Sequence, residues 1–302
     1  VRIIPSVLTS SFRPPGIPFE ITLDAGQVFQ IQALGDLSGS RVLSLDTTKP
    51  VAVFSGARQA FVNCQLADDH LFQQIDPIGS WGDSYYVVPF AERGGDQVRL
   101  LGLHDGSDVY ITGVGDFELD EGEVIDLHIM NAVHITGDKA FAVGQFNESQ
   151  ECNIGTMGDP AFLWLQPTSR SDDRAQWSAL TGAGTPEHYV NIVAVSEVGQ
   201  PDVLLDDISV ADQFLPMPDV PGVYWAQIEL TEGGHTLTGN RGYQATAYGF
   251  GDYNSYSFHL GYDRQQTVSI DERALPTSRL SAFVVASGGE WPRVAAKANV
   301  DW

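Results

Sequence analysis

Internal self-similarity constrains this chain more than any single motif, because a missed repeat mis-assigns the whole fold. Residues 117–146 (FELDEGEVIDLHIMNAVHITGDKAFAVGQF) resemble residues 19–56 (FEITLDAGQVFQIQALGDLSGSRVLSLDTTKPVAVFSG) and residues 225–250 (WAQIELTEGGHTLTGNRGYQATAYGF). Leu23-Asp24-Ala25-Gly26, Leu119-Asp120-Glu121-Gly122 and Leu230-Thr231-Glu232-Gly233 align as one turn. Each copy closes on a short apolar run, Val51-Ala52-Val53-Phe54, Ala140-Phe141-Ala142-Val143 or Ala245-Thr246-Ala247-Tyr248. The expected fold is all-β: three related antiparallel modules, packed as β-sandwiches or closed into a propeller-like ring. The copies fall near residues 1–80, 81–166 and 167–264, the first truncated at its start. Residues 265–302 read as a C-terminal β extension or the start of a following module.

Local patterns support that scaffold. Residues 19–23 and 28–32 alternate apolar with polar around an Asp-Ala-Gly-Gln turn, as a half-buried hairpin does. Residues 98–103 and 108–112 flank His104-Asp105-Gly106-Ser107, whose Asp-Gly pair is a strong hairpin signal. Two irregular stretches, 56–79 and 147–161, follow equivalent apolar runs and carry the two cysteines, Cys64 and Cys152. Equivalent positions in neighbouring copies can meet, so a disulfide is possible in an oxidising compartment, and two unpaired thiols fit the spacing as well. Strand-like patterns recur at 188–196, 202–205, 267–270 and 280–286. The aromatics Tyr248, Phe250, Tyr253, Tyr256, Phe258 and Tyr262 alternate as the core of the last strands would, with a face that stacks on sugars or anchors protein contacts as the second reading. No long helix-period segment stands out. The 31 glycines and 16 prolines suit many short strands joined by turns.

Charge removes some partners. A net charge of −23 repels phosphate backbones and anionic lipid, which excludes nucleic acid as a partner. It reads as a solvated acidic surface, or as cation binding or life in a salty medium. No run approaches the ~18–20 apolar residues of a membrane span, so membrane insertion is not expected. The chain starts at Val1 without a charged-then-apolar leader and reads as a mature or excised fragment of a larger chain.

Catalytic signatures are weak. No G-x-S-x-G occurs, and Asp69-His70 with Ser55 or Ser80 would be an incomplete triad. The histidine and cysteine spacings do not suit zinc, and no calcium-loop pattern is present. Asp105 with Asp108, and Asp202 with Asp206 and Asp207, are the weak calcium candidates. They read more naturally as solvated turn residues. No cofactor is expected, with calcium left open.

Several phrases together resemble the N-terminal domain family of IgGFc-binding proteins. Residues 66–90 (LADDHLFQQIDPIGSWGDSYYVVPF) are similar to its C-D-H-L…Q…P-x-x-x-W-G-x-x-[FY]-x-V-x-P signature. A lysine ahead of a V-A-V-type strand occurs twice, at Lys49 and Lys139. Gln145-Phe146 through Gly158-Asp159-Pro160, and residues 253–261, resemble the family's later segments. Residues 19–265 are covered. Asp68 stands where the family has a cysteine, which makes pairing of Cys64 with Cys152 attractive. Ala161 stands where a self-cleaving G-D-P-H site would need histidine. The resemblance implies a secreted or cell-surface, non-enzymatic β module binding an extracellular glycan or protein. In animals such domains belong to mucus proteins named for binding immunoglobulin Fc, and in bacteria to presumed adhesins. Asp69, His70, Trp81, Asp159 and Pro160 are expected to fix the binding face. A structural spacer of a surface layer or fibre is the alternative, and a carbohydrate-active enzyme a more distant one.

Overall fold

The computed structural model describes residues 1–63, 67–152, 154–155, 157–180, 182 and 184–261, and the backbone of 281–283 and 292–298. Within these residues the chain is all-β, and its helical segments are three short 3-10 turns.

The plan is clearest in the second unit, which contains the strands from β7 to β13. It comprises β7 (Gly82–Val87), β8 (Asp96–Gly102), β9 (Ser107–Ile111), β10 (Gly115–Leu119), β11 (Val124–Ile129), β12 (Val133–Asn147) and β13 (Ala161–Trp164). β12 belongs to two sheets. Its first part pairs with β7 and β9, and from Phe141 onward it pairs with β8 and β13, with a register break between Thr136 and Phe141. A β-bulge bends a strand and sharpens its twist, which is how one strand can pass from one layer of a sandwich to the other. The two layers are thus β10-β9-β12-β7 and β11-β8-β12-β13. Lys139 fixes the bend: its Nζ donates to the carbonyls of Asp105 at 2.8 Å and Gly106 at 2.6 Å.

The third unit repeats this order. Its strands are β14 (Asp172–Ala179), β15 (Glu187–Val195), β16 (Val203–Leu205), β17 (Ile208–Ser209), β18 (Leu215–Pro216), β19 (Val223–Leu230), β20 (Gly233–Gly251) and β21 (Asn254–Leu260). The long β20 pairs first with β14 and β16, then with β15 and β21. β18 is an added edge on β19.

The first unit contains β1 (Arg2–Ile4), β2 (Phe19–Glu20), β3 (Val28–Gln32), β4 (Arg41–Leu43), β5 (Val51–Ala60) and β6 (Asp69–Ile75). Here β4 and β5, separated by the turn at Asp46, stand for the two halves of β12. Two strands of the tail, β22 (Ser281–Phe283) and β23 (Pro292–Ala298), complete its sheets as β2-β1-β4-β22 and β3-β23-β5-β6.

Packing follows strand parity. On β8 and β12, Val98, Leu100, Phe141 and Val143 enter the interior of the second sandwich, joined there by Val109 and Ile135. The alternate residues Leu101, Ala142 and Phe146 face outward, yet they are buried against Ala57, Leu71 and Ile75 of the first unit. A sheet covered on both faces becomes a continuous apolar run, as the closing half of β12 does. Between the second and third units, Tyr189, Tyr248 and Phe250 pack on Phe90, while Val193 and Val223 meet Val88. Ile192, Ala245 and Leu237 fill the third interior; Ile3, Ile31, Val42 and Val53 fill the first.

Four expectations need correction. Residues 19–23 and 28–32 are not a hairpin: β2 pairs with β1, while β3 pairs with β23 in another sheet. The Asp105-Gly106 turn likewise crosses between layers, since β8 pairs with β11 and β12, and β9 with β10 and β12. Local turn chemistry brought the chain round in each case, but sandwich packing chose the hydrogen-bonding partners. Half of the 56–79 stretch is strand, with β5 running to Ala60 and β6 spanning Asp69–Ile75. Finally, Leu230–Gly233 joins β19 to β20, whereas the other two Leu-Asp-x-Gly turns join β2 to β3 and β10 to β11. It therefore sits one connection later than its sequence counterparts. The strand orders describe sandwiches, not the blades of a closed ring.

Candidate functional site

β5, β12 and β20 end at equivalent places in the three units, and the connections that leave them come together. The 148–160 connection lies at the centre. On one side the Ser149 amide donates to the Val62 carbonyl at 3.5 Å, and the Glu148 carboxylate accepts from the Asn63 side chain. On the other side the Gly158 amide donates to the Gly251 carbonyl at 2.6 Å, beside the β20–β21 turn. Asn147 Nδ2 donates to the Asp159 carbonyl at 2.7 Å and to Ser255 Oγ at 3.2 Å, and the Asp159 amide donates to that same hydroxyl at 2.7 Å. Gly158 adopts a φ of +108°, a left-handed value that a side chain would strain, and a Cβ there would meet the Phe250 ring at 3.1 Å.

Arg93 supports this connection from below. Its guanidinium lies 3.6 Å from the Phe250 ring centroid, donates to the Met157 carbonyl, and contacts Glu187 Oε2 at 3.3 Å. Its side chain is only 1% exposed. A buried guanidinium that spans an aromatic face, a carbonyl and a carboxylate fixes the loop, the second unit and the third unit as one body.

On top of this base sit the residues singled out in the sequence. Asp69 opens β6, and its Oδ1 lies 2.9 Å from His70 Nδ1 while accepting from the His70 amide at 2.6 Å; His70 itself is exposed. Asp159 is 5% exposed, and among the described residues its Oδ1 has no hydrogen-bond partner. Burial, then the charges of Asp69 and Asp68, push its carboxyl up to about 7, with His70 opposing. Asp68, Asp69, His70 and Asp159 therefore share one electrostatic neighbourhood. Pro160 is buried beside Asp159. Trp81 belongs elsewhere: it packs on Trp164 at 5.5 Å in the interface between the first two units, with Nε1 donating to the Asp76 carbonyl.

Sequence reasoning missed the third contributor, the β20–β21 turn. Tyr253, in left-handed backbone, donates its hydroxyl to Glu151 Oε1 at 2.8 Å, and Gln150 Nε2 reaches Asp252 Oδ1 at 3.2 Å. Its signal was present in the aromatic-rich 249–261 segment, in which β20 ends at Gly251 and the chain turns before β21. Tyr248 and Phe250 are core, while Tyr253 is 51% exposed. Ile154 stands 78% exposed on the central connection, and Phe61 is partly exposed on the first.

The weak calcium candidates serve turns. Asp105 Oδ1 accepts from the Glu121 amide and the Asp108 amide donates to Asp138 Oδ1. Asp202 Oδ2 accepts from Asn240, and Asp206 holds His235 and the Thr236 amide. Asp206 and Asp207 both have positive φ, as the two central residues of a type I′ turn require. Among the described residues no group of three or more His, Cys, Asp or Glu is arranged to hold a metal ion. Ser80 Oγ, a candidate nucleophile, donates to the Pro77 carbonyl at 2.6 Å and is not presented to His70. Cys64, the expected disulfide partner of Cys152, lies outside the described residues. Among the described residues no helix is long and apolar enough to cross a membrane.

No solved structure matches the chain. An 80-residue stretch, 26% of this chain, is 39% identical to a human protein named IgGFc-binding protein and spans 1% of that protein's length. The family profile described as IgGFc binding protein matches residues 1–249, most of the chain. The chain belongs to the IgGFc-binding protein family.

Proposed function

We propose that the chain is a non-enzymatic extracellular recognition module of a larger secreted or surface protein. Its partner would be a protein or a glycan, met on the surface built by residues 61–63, 67–70, 148–152, 154–155, 157–160 and 252–253. The observation that carries this reading is the convergence of three equivalent connections around a buried Arg93. Exposed Ile154, Tyr253 and Phe61 stand there beside Asp68, Asp69, Glu151 and Asp252. Aromatic and aliphatic anchors ringed by charge on a rigid base are the chemistry of an interface hot spot. A basic protein surface complements the carboxylates better than a neutral sugar does.

The test is a glycan and mucin array run beside a panel of basic proteins and the Fc fragment named in the human relative. Saturable binding weakened at least about tenfold in Tyr253→Ala or Ile154→Ser supports the reading, as loss of an anchor costs roughly 2 kcal/mol or more. Tyr110→Ala, an exposed aromatic on β9, serves as control and leaves binding unchanged. Blank results from folded protein transfer the weight to a spacer. The apolar interfaces between successive units favour that second reading, since they hold the units firmly against one another.

A further inference from the structure

The long strands of the second and third units carry the same bend. The ladder with the flanking strand breaks from Thr136 to Phe141 in β12 and from Thr238 to Tyr243 in β20. Thr136-Gly137-Asp138-Lys139-Ala140-Phe141 therefore corresponds, residue for residue, to Thr238-Gly239-Asn240-Arg241-Gly242-Tyr243. Each glycine lies against the ring that ends its bend, since a Cβ would come within 2.9 Å of Phe141 or 2.8 Å of Tyr243. The next residue ties the bend to the adjoining connection: Asp138 accepts from the Asp108 amide, and Asn240 Nδ2 donates to Asp202 Oδ2. The bends differ one residue further on. Lys139 closes the first, its ammonium on the Asp105 and Gly106 carbonyls of the β8–β9 connection. In the third unit the corresponding connection is longer, 196–202 against 103–106. Arg241 stays at its outer edge, 61% exposed, with Nη1 at 3.9 Å from Glu197 Oε2. Between bend and connection is an open cavity of about 180 Å³, many times the ~10–15 Å³ that one water needs. Ala194, Val195, Val198, Pro201 and Val203 form its apolar walls, and Asp202 its polar side.

We propose that this cavity takes a primary ammonium on an aliphatic stem, the lysine side chain of a protein partner, in the place that Lys139 occupies in the second unit. The apolar walls suit the methylenes, which such a side chain buries while its head stays polar. The Asp202 carboxylate can accept bonds beyond the one from Asn240, and a charge-assisted bond to an ammonium is among the stronger kinds. Glu197 and Asp202 together outweigh the single charge of Arg241, and a chain of net charge −23 draws cations towards it. The cavity adjoins the end of β15 remote from Glu187, so it is a second site, independent of the surface around the 148–160 connection.

The experiment uses the full chain, with Nα-acetyl-lysine methylamide as probe and the norleucine analogue as its uncharged match. Amide chemical shifts of residues 194–203 and 239–242 should move saturably with the lysine probe and stay still with the norleucine one. Asp202→Asn keeps an acceptor for Asn240 and removes the charge, so it should weaken the lysine probe at least about tenfold. Glu118→Gln, an exposed carboxylate on β10, should leave it unchanged. No saturable shift at these residues, or equal shifts with the norleucine probe, would overturn the proposal. Shifts there with acetate and not with the lysine probe would also overturn it, by making Arg241 the centre of an anion site. Cadaverine, a free diamine, binding at least about tenfold tighter than the lysine probe would overturn the protein source of the ammonium.

Discussion

Replacing Asp159 by asparagine should change how stability depends on pH. The carboxyl is buried, and the folded state moves it from 3.8 to about 7. That displacement is worth roughly 4 kcal/mol between the two protonation states, at about 1.36 kcal/mol per pH unit. Below the unfolded value both states carry the proton and nothing is lost. As pH rises from 3.8 to about 7 the unfolded chain ionises first, so stability falls across that window. Above it the folded protein bears the full penalty. Asp159→Asn removes the titration, so its stability advantage over the parent should grow by up to about 4 kcal/mol between roughly pH 4 and pH 8. A buried amide left unpaired costs about 1–3 kcal/mol at every pH, so the slope, and not the absolute difference, is diagnostic. Asp96, pushed into the same range by burial, is present in both proteins and cancels. The assay is urea unfolding followed by tryptophan fluorescence at several pH values. A difference that stays constant within about 0.5 kcal/mol across the range would refute the reasoning. Asp69→Asn should shrink the growth, since the Asp69 charge is the next cause after burial.

Other perturbations probe the packing. Tyr248 accepts from the Ala91 amide at 3.0 Å across the second interface and donates to Asn191 Oδ1 at 2.8 Å within the third unit. Tyr248→Phe leaves a buried amide unpaired and should cost about 1–3 kcal/mol, read as a lower urea midpoint. Gly56→Ala puts a Cβ 1.8 Å from the Leu71 carbonyl. Backbone must move, so we expect a loss of at least about 3 kcal/mol and a melting point lower by roughly 6–12 °C. Intact mass without reductant should be about two units below the all-thiol value if Cys64 and Cys152 pair, and Cys152→Ala should then lower stability by about 2–4 kcal/mol. EDTA should leave the melting midpoint unchanged, because the carboxylates of Asp105, Asp202 and Asp206 are committed to turns; a drop would reveal a bound ion.

By itself the sequence determined the all-β class, the apolar closing strands at Val51, Phe141 and Ala245, and the family signature. These are local or one-dimensional properties: side-chain alternation, turn residues and spacing survive without knowledge of what pairs with what. It also marked Asp69, His70 and Asp159, which fall in one neighbourhood because the long connections leave equivalent strands. Tertiary structure alone decided the partners. The Asp105-Gly106 turn and the Asp24-Ala25-Gly26 turn look like hairpins because reversal is a local property. Whether the returning strand pairs with its neighbour or crosses to the other layer depends on burying both faces of each sheet. For the same reason Trp81 reads as a site residue in the motif and lies in a core in the fold. Tyr253 could be told apart from Tyr248 and Phe250 only once β20 was seen to end at Gly251, which leaves Tyr253 in the turn while the other two pack in the core.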